Sequence, residues 1–70
     1  MEPKFKPGQG VTVVDVRDAS SVGYLGLPMH IMDYEKQPHL LRTTKDGEYM
    51  YPCISDNGYM TWWYEDELKP

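Results

Sequence analysis

Two glycine turn signals, Asp46-Gly47 and Asn57-Gly58, constrain this chain more than any other feature in it. Asp-Gly and Asn-Gly are favoured where a hairpin loop needs positive φ, which glycine adopts without a Cβ clash. Between the two lies a run rich in aromatic and apolar residues, Glu48-Tyr49-Met50-Tyr51-Pro52-Cys53-Ile54-Ser55. After the second comes another, Tyr59-Met60-Thr61-Trp62-Trp63-Tyr64. A strand with a tight turn at each end pairs antiparallel with both neighbours in sequence. Residues 48–55 and 59–64 are therefore expected to be strands of a meander, with Gly47 and Gly58 at positive φ.

The rest of the chain fits that frame. Residues 11–17 are β-branched and predict a strand. Their valines do not alternate: Val11 and Val13 share one face, Val14 and Val16 the other, which calls for a bulge or for cover on both faces. Residues 29–36 and 39–44 predict two further strands around the turn Gln37-Pro38. Pro52 has no N–H to give a ladder and is expected at an edge or a bulge. Residues 18–28, with Asp18, Ser20, Ser21, Gly23, Gly26 and Pro28, read as a long first loop. The opening ten residues, punctuated by Pro3, Pro7, Gly8 and Gly10, read as extended and irregular. Residues 65–70 hold one apolar residue, Leu68, expected to return to the core through a single helical turn. No segment offers three turns of helical periodicity.

Five short strands in 70 residues imply an all-β fold, one domain over residues 1–70. A small five-stranded barrel is the expected form, because closure leaves few unpaired edges. Val11, Val13, Ile31, Leu41, Ile54 and Leu68 are its expected core.

Both ends carry a resemblance. Phe5-Lys6-Pro7-Gly8-Gln9-Gly10-Val11-Thr12-Val13 resembles the first strand of small SH3-like barrels. Trp62-Trp63-Tyr64-Glu65-Asp66-Glu67-Leu68-Lys69-Pro70 is similar to the last strand and closing turn of the same group. The group includes KOW-like modules and many small bacterial, phage and prophage proteins. The resemblance implies an SH3-like barrel and, given the small size and aromatic load, a phage or prophage product acting in the host cytoplasm. It also departs from the KOW pattern. Gly23-Tyr24-Leu25-Gly26-Leu27-Pro28 stands where a Gly-x-x-Gly-x-Val run is usual, and the basic face is missing.

Charge bears on partners. Seven Lys and Arg face eleven Asp and Glu, a net charge of −4. Phosphate neutralisation needs clustered cations, and these are scattered, so nucleic acid is disfavoured. Cys53 is the only cysteine, which excludes an intrachain disulfide and points to a reducing compartment, the cytoplasm. No apolar run approaches a membrane span, and the start lacks the pattern of a signal peptide.

The chemical inventory gives no reaction. Glu65-Asp66-Glu67 reads as a solvated face more readily than as an acid–base pair. His30 and His39 lack the spacing of metal ligands, so no metal or cofactor is expected. Cys53, in a strand, reads as a buried inert thiol.

The aromatic set is the informative feature. Tyr24, Tyr34, Tyr49, Tyr51, Tyr59, Trp62, Trp63 and Tyr64 exceed what so small an interior holds. Trp62 and Trp63 must point to opposite faces of one strand. One is expected in the core. The other is expected at the surface beside at least two of Tyr24, Tyr49, Tyr51, Tyr59 and Tyr64. Packing of the rings under the loop of residues 18–28 is the competing arrangement. The expected function is a non-enzymatic protein-binding module that uses Tyr24, Tyr49, Tyr51, Tyr59, Trp62, Trp63 and Tyr64 with an acidic rim, self-association being one form of it. A nucleic-acid-binding KOW-like module is the alternative.

Overall fold

Antiparallel pairing dominates, as the turn chemistry requires. The computed structural model describes residues 2–70. The strands are β1 (Gly10–Val13), β2 (Pro28–Ile31), β3 (Arg42–Thr43), β4 (Tyr49–Ser55), β5 (Met60–Tyr64) and β6 (Leu68–Lys69). Short 3-10 helices cover Ala19–Tyr24, Pro38–Leu40 and Glu65–Glu67. β4 is the hub: β5 pairs along one edge, while β3 and then β2 share the other. The sheet continues from β2 to β1 and from β1 to β6.

The expectation of a five-stranded closed barrel is corrected in two respects. The sheet has six strands, and it is not closed, because β5 and β6 at its two ends do not pair. The chain itself crosses that gap: one 3-10 turn, Glu65–Glu67, separates the end of β5 from the start of β6. Tyr64 N–H, where β5 stops, donates to the Glu67 carboxylate at 2.8 Å.

Both expected hairpins form. Gly47 and Gly58 have φ of 82° and 85°. In each loop the glycine N–H donates back three residues, Gly47 to Thr44 and Gly58 to Ser55, and the ladder closes one residue later, Thr44 to Glu48 and Ser55 to Tyr59. A Cβ at either glycine would meet open space, so only backbone strain opposes substitution. Gly58→Val is therefore expected to cost about 1–3 kcal/mol, read as a lower urea midpoint. An unchanged midpoint would remove positive φ as a requirement there.

Three strands are shorter than their composition predicts: β3 keeps only Arg42–Thr43 of the expected 39–44, because Pro38 starts a 3-10 turn through Leu40, and the other two end for reasons that lie in their partners. β1 ends at Val13 because its partner gives out: Val14 N–H still bonds in register to the Glu67 carbonyl at 2.8 Å, but Glu67 belongs to the 3-10 turn, and Asp15 N–H falls on the same carbonyl at 3.4 Å. This resolves the uneven valines: Val11 and Val13 are buried, while Val14 has left the strand and is exposed. β2 ends at Ile31 because of Pro52. Met32 N–H donates to the Pro52 carbonyl at 2.8 Å, but proline has no N–H to return. The Met32 carbonyl instead accepts from Tyr34 N–H at 2.8 Å, a three-residue turn. That turn drops Tyr34 into the core. Pro52 thus sits at the end of a ladder, where its missing donor is tolerated.

The core is Phe5, Val11, Val13, Met29, Ile31, Tyr34, Tyr51, Cys53, Trp63 and Leu68. Four of the six expected core residues are in it. Leu41 and Ile54 are only half-buried; Ile54 follows the inward Cys53 and so faces the other side of β4. Tyr51 is at the centre, edge-on to Phe5 with ring centroids 5.1 Å apart. Its hydroxyl accepts from Lys4 N–H at 2.8 Å and donates to Glu65 at 2.7 Å. The Tyr34 hydroxyl donates to the Phe5 carbonyl. The opening segment is irregular, as its prolines and glycines imply, yet these two phenols fasten it to the sheet.

Candidate binding surface

Alternation along β5 sorts the aromatic residues. Thr61 and Trp63 point inward; Met60, Trp62 and Tyr64 point outward. Trp63 is buried, its indole N–H donating to Thr61 Oγ1 at 2.7 Å and its ring edge-on to Tyr24. Trp62 is half-buried and donates its indole N–H to the Leu40 carbonyl at 2.7 Å. The Arg42 guanidinium lies 3.8 Å from the centroid of the Trp62 ring, and that of Arg17 lies 3.7 Å from that of Tyr64. Both outward rings are thus partnered by cations of the same chain.

The seven residues expected to form a surface divide into two groups. Tyr51 and Trp63 are core and offer no area to a partner. Tyr49 is half-buried against the core, its ring 6.2 Å from Tyr51. Tyr24, Trp62 and Tyr64 are partly exposed and line one groove of about 510 Å³, with Met50 and Met60. Tyr59 is 69% exposed at the β4–β5 turn. It lines a second groove of about 230 Å³ with Leu27, and Tyr24 borders both. Some of the surplus rings therefore pack under the loop of residues 18–28, and the others stay accessible.

Sequence reasoning missed three contributors. Val22, Leu25 and Leu27 are exposed on the long loop; apolar side chains among Gly, Ser and Pro were the available signal. Arg17 is the second: it pairs with Glu48 and, at 2.9 Å, with Asp66. These contacts, Glu48 first, raise its pKa further above the ordinary arginine value. The third is Glu67. The expectation of a solvated acidic run fails there, because Glu67 is 5% exposed. Its two carboxylate oxygens accept from Arg17 N–H and Tyr64 N–H, each at 2.8 Å. Of its neighbours, Asp66 is exposed, and Glu65 is half-buried against the Tyr51 hydroxyl.

Elsewhere, five carboxylates, Glu2, Asp46, Glu48, Glu65 and Asp66, surround a hollow of about 410 Å³ with Lys4 and Tyr49. Among the described residues no three His, Cys, Asp or Glu side chains are gathered as metal ligands. His30 lies on β2, while His39 lies in the 3-10 turn Pro38–Leu40. No helix among the described residues is long and apolar enough to cross a membrane.

Cys53 is fully buried, and burial pushes its thiol up to about 12. Burial also raises the Tyr51 phenol, helped by Glu65, and the Tyr34 phenol. All three stay protonated in the folded protein at pH values where the unfolded chain begins to ionise. Their contribution is complete below pH 9, the ordinary value for the thiol, and is lost as pH rises through the folded values. The urea midpoint is expected to hold from pH 7 to about 8.5 and then fall, each ionising group removing up to about 1.4 kcal/mol per pH unit. A midpoint still level at about pH 10.5 would contradict this.

No protein-family model matches the chain, and no curated protein or solved structure matches it.

Proposed function

We propose that the chain is a non-enzymatic protein-binding module of SH3-like architecture, working through the accessible rings and methionines along β5 and the β4–β5 turn. The carrying observation is the concentration of exposed apolar surface. Of six exposed large hydrophobic residues among the described ones, Val22, Leu25, Leu27, Tyr59 and Met60 belong to the long loop and the start of β5, and Val14 lies elsewhere. Apolar area gathered in this way on a small protein is characteristic of an interaction site. The SH3-like reading is supported by the return of the chain through a 3-10 turn to pair β6 with β1. The resemblance of the two chain ends extends the proposal to a phage or prophage factor that engages a host protein in the host cytoplasm.

Nucleic acid is the weaker reading because the cations are dispersed or already paired. Arg17 is held by two carboxylates, and Lys36 lies 4.0 Å from Asp33. The test is affinity capture from a bacterial lysate, with and without nuclease, using the wild type and Trp62→Ala. The expected result is a nuclease-resistant protein partner retained by the wild type and lost by Trp62→Ala, whose fold survives. Equal retention by both, or material that disappears with nuclease, would sink the proposal.

A further inference from the structure

Among the described residues β5 pairs only with β4, so its other edge is open. The hydrogen-bond phase fixes which groups face out. Ser55 N–H donates to the Tyr59 carbonyl, making Ser55–Tyr59 a bonded pair. With the observed register, Thr61 and Trp63 then bond to β4, while Met60, Trp62 and Tyr64 present N–H and C=O to the open edge. Tyr64 N–H is taken by Glu67. Among the described residues, no backbone bond reaches Met60 or Trp62 from outside β4. Those two residues offer two donors and two acceptors at the spacing of a ladder. They do so inside the 510 Å³ groove, whose far wall carries Ser21 and Tyr24.

We infer that an extended, cationic segment of another protein adds as a strand to the open edge of β5, bonding to the backbone of Met60 and Trp62. The inference rests on the binding-module reading above and names the partner's chemistry. Strand addition takes its affinity from main-chain bonds and its specificity from alternate side chains. Partner residues opposite Met60 and Trp62 share their outward face, where the exposed rims of Trp62 and Tyr64 lie. Both rings already hold a guanidinium, which shows the ligand chemistry they favour. The rim is acidic by a narrow margin: Asp18 lines the groove, and Glu48 and Asp66 sit on Arg17 at its end, three carboxylates against the two cations Arg17 and Arg42. The other partner residues face inward, toward Tyr24. The fitting segment therefore alternates arginine or lysine with apolar residues. A second copy of this chain fits poorly, since each copy carries −4 and the loop wall stands beside the edge.

The test is a titration of ¹⁵N-labelled protein with a blocked heptapeptide that alternates Val and Arg. Amide exchange at Met60 and Trp62, fast in the free protein, is expected to slow on binding, with Thr61 and Trp63 slow throughout. Methylating the arginine amides of the peptide, or making Met60→Pro, removes edge bonds and is expected to weaken binding about tenfold or more. Proline at 60 spares the β4 ladder, and the methylated peptide leaves the protein untouched. Replacing Arg by Glu in the peptide is expected to abolish binding. Unprotected Met60 and Trp62, equal binding of the methylated or acidic peptide, or a dimer formed through β5 would overturn the inference. Binding retained by Met60→Pro but lost by Trp62→Ala would overturn strand pairing and leave the binding module standing. Indifference to both substitutions would remove both.

Discussion

Trp63→Ala is expected to lower the urea midpoint by roughly a third or more. Truncating a buried tryptophan costs about 3–5 kcal/mol, and a domain of this size has a net stability on the order of 4–10 kcal/mol. Trp63 is 4% exposed, and its neighbours Tyr24 and Thr61 are held through it. Trp62→Ala, one position away, is expected to cost far less, because its ring lies on the outward face, partly exposed and stacked on a guanidinium. Urea titrations followed by far-ultraviolet circular dichroism compare the two directly. Equal midpoints would mean that the inward and outward assignments of β5 are wrong.

Glu67→Ala is the second large effect expected, and it comes from a charged residue on the last turn. Both carboxylate oxygens accept backbone N–H groups, from Arg17 and Tyr64. Alanine leaves both donors short of a partner, at about 1–3 kcal/mol each. It also loosens the junction of β5 and β6, the point at which the sheet is not closed by hydrogen bonds. Glu67→Gln should recover only part of the loss, because an amide accepts with one end and donates with the other. Asp66→Ala, at an exposed position beside it, is expected to stay within about 0.5 kcal/mol of wild type. Thermal melts of the three variants test the ranking. A Glu67→Ala midpoint matching that of Asp66→Ala would contradict it.

The contrast between Asp66 and Glu67 shows where sequence reading stops. Hairpin loops are local, so Gly47 and Gly58 declared them without help from the rest of the chain. Strand ends were not local. Whether β2 stops at Ile31 depends on Pro52, which becomes its partner only after folding. Likewise β1 stops at Val13 because its partner strand begins only at Leu68, after the turn that holds Glu67. The burial of Glu67 was illegible for the same reason, since one of its two donors, Arg17 N–H, lies 50 residues away in the chain. Alternation required Trp62 and Trp63 to separate, but both have tyrosine and threonine neighbours, so nothing local chose between them. The choice was made by Tyr24, brought from the long loop onto the inward side. Tyr51 looked like one ring among several, and its central place follows from its hydroxyl meeting both Lys4 N–H and Glu65.

The claim that the outward rings of β5 are the working surface is tested most directly by mapping amide chemical shifts, with and without the protein partner recovered by capture. The account predicts that shifts concentrate at residues 59–64 and at the facing loop, residues 17–27, while β1 and β6 stay unchanged. Shifts centred on the acidic hollow of Glu2, Asp46 and Glu65, or spread evenly over the sheet, would contradict it.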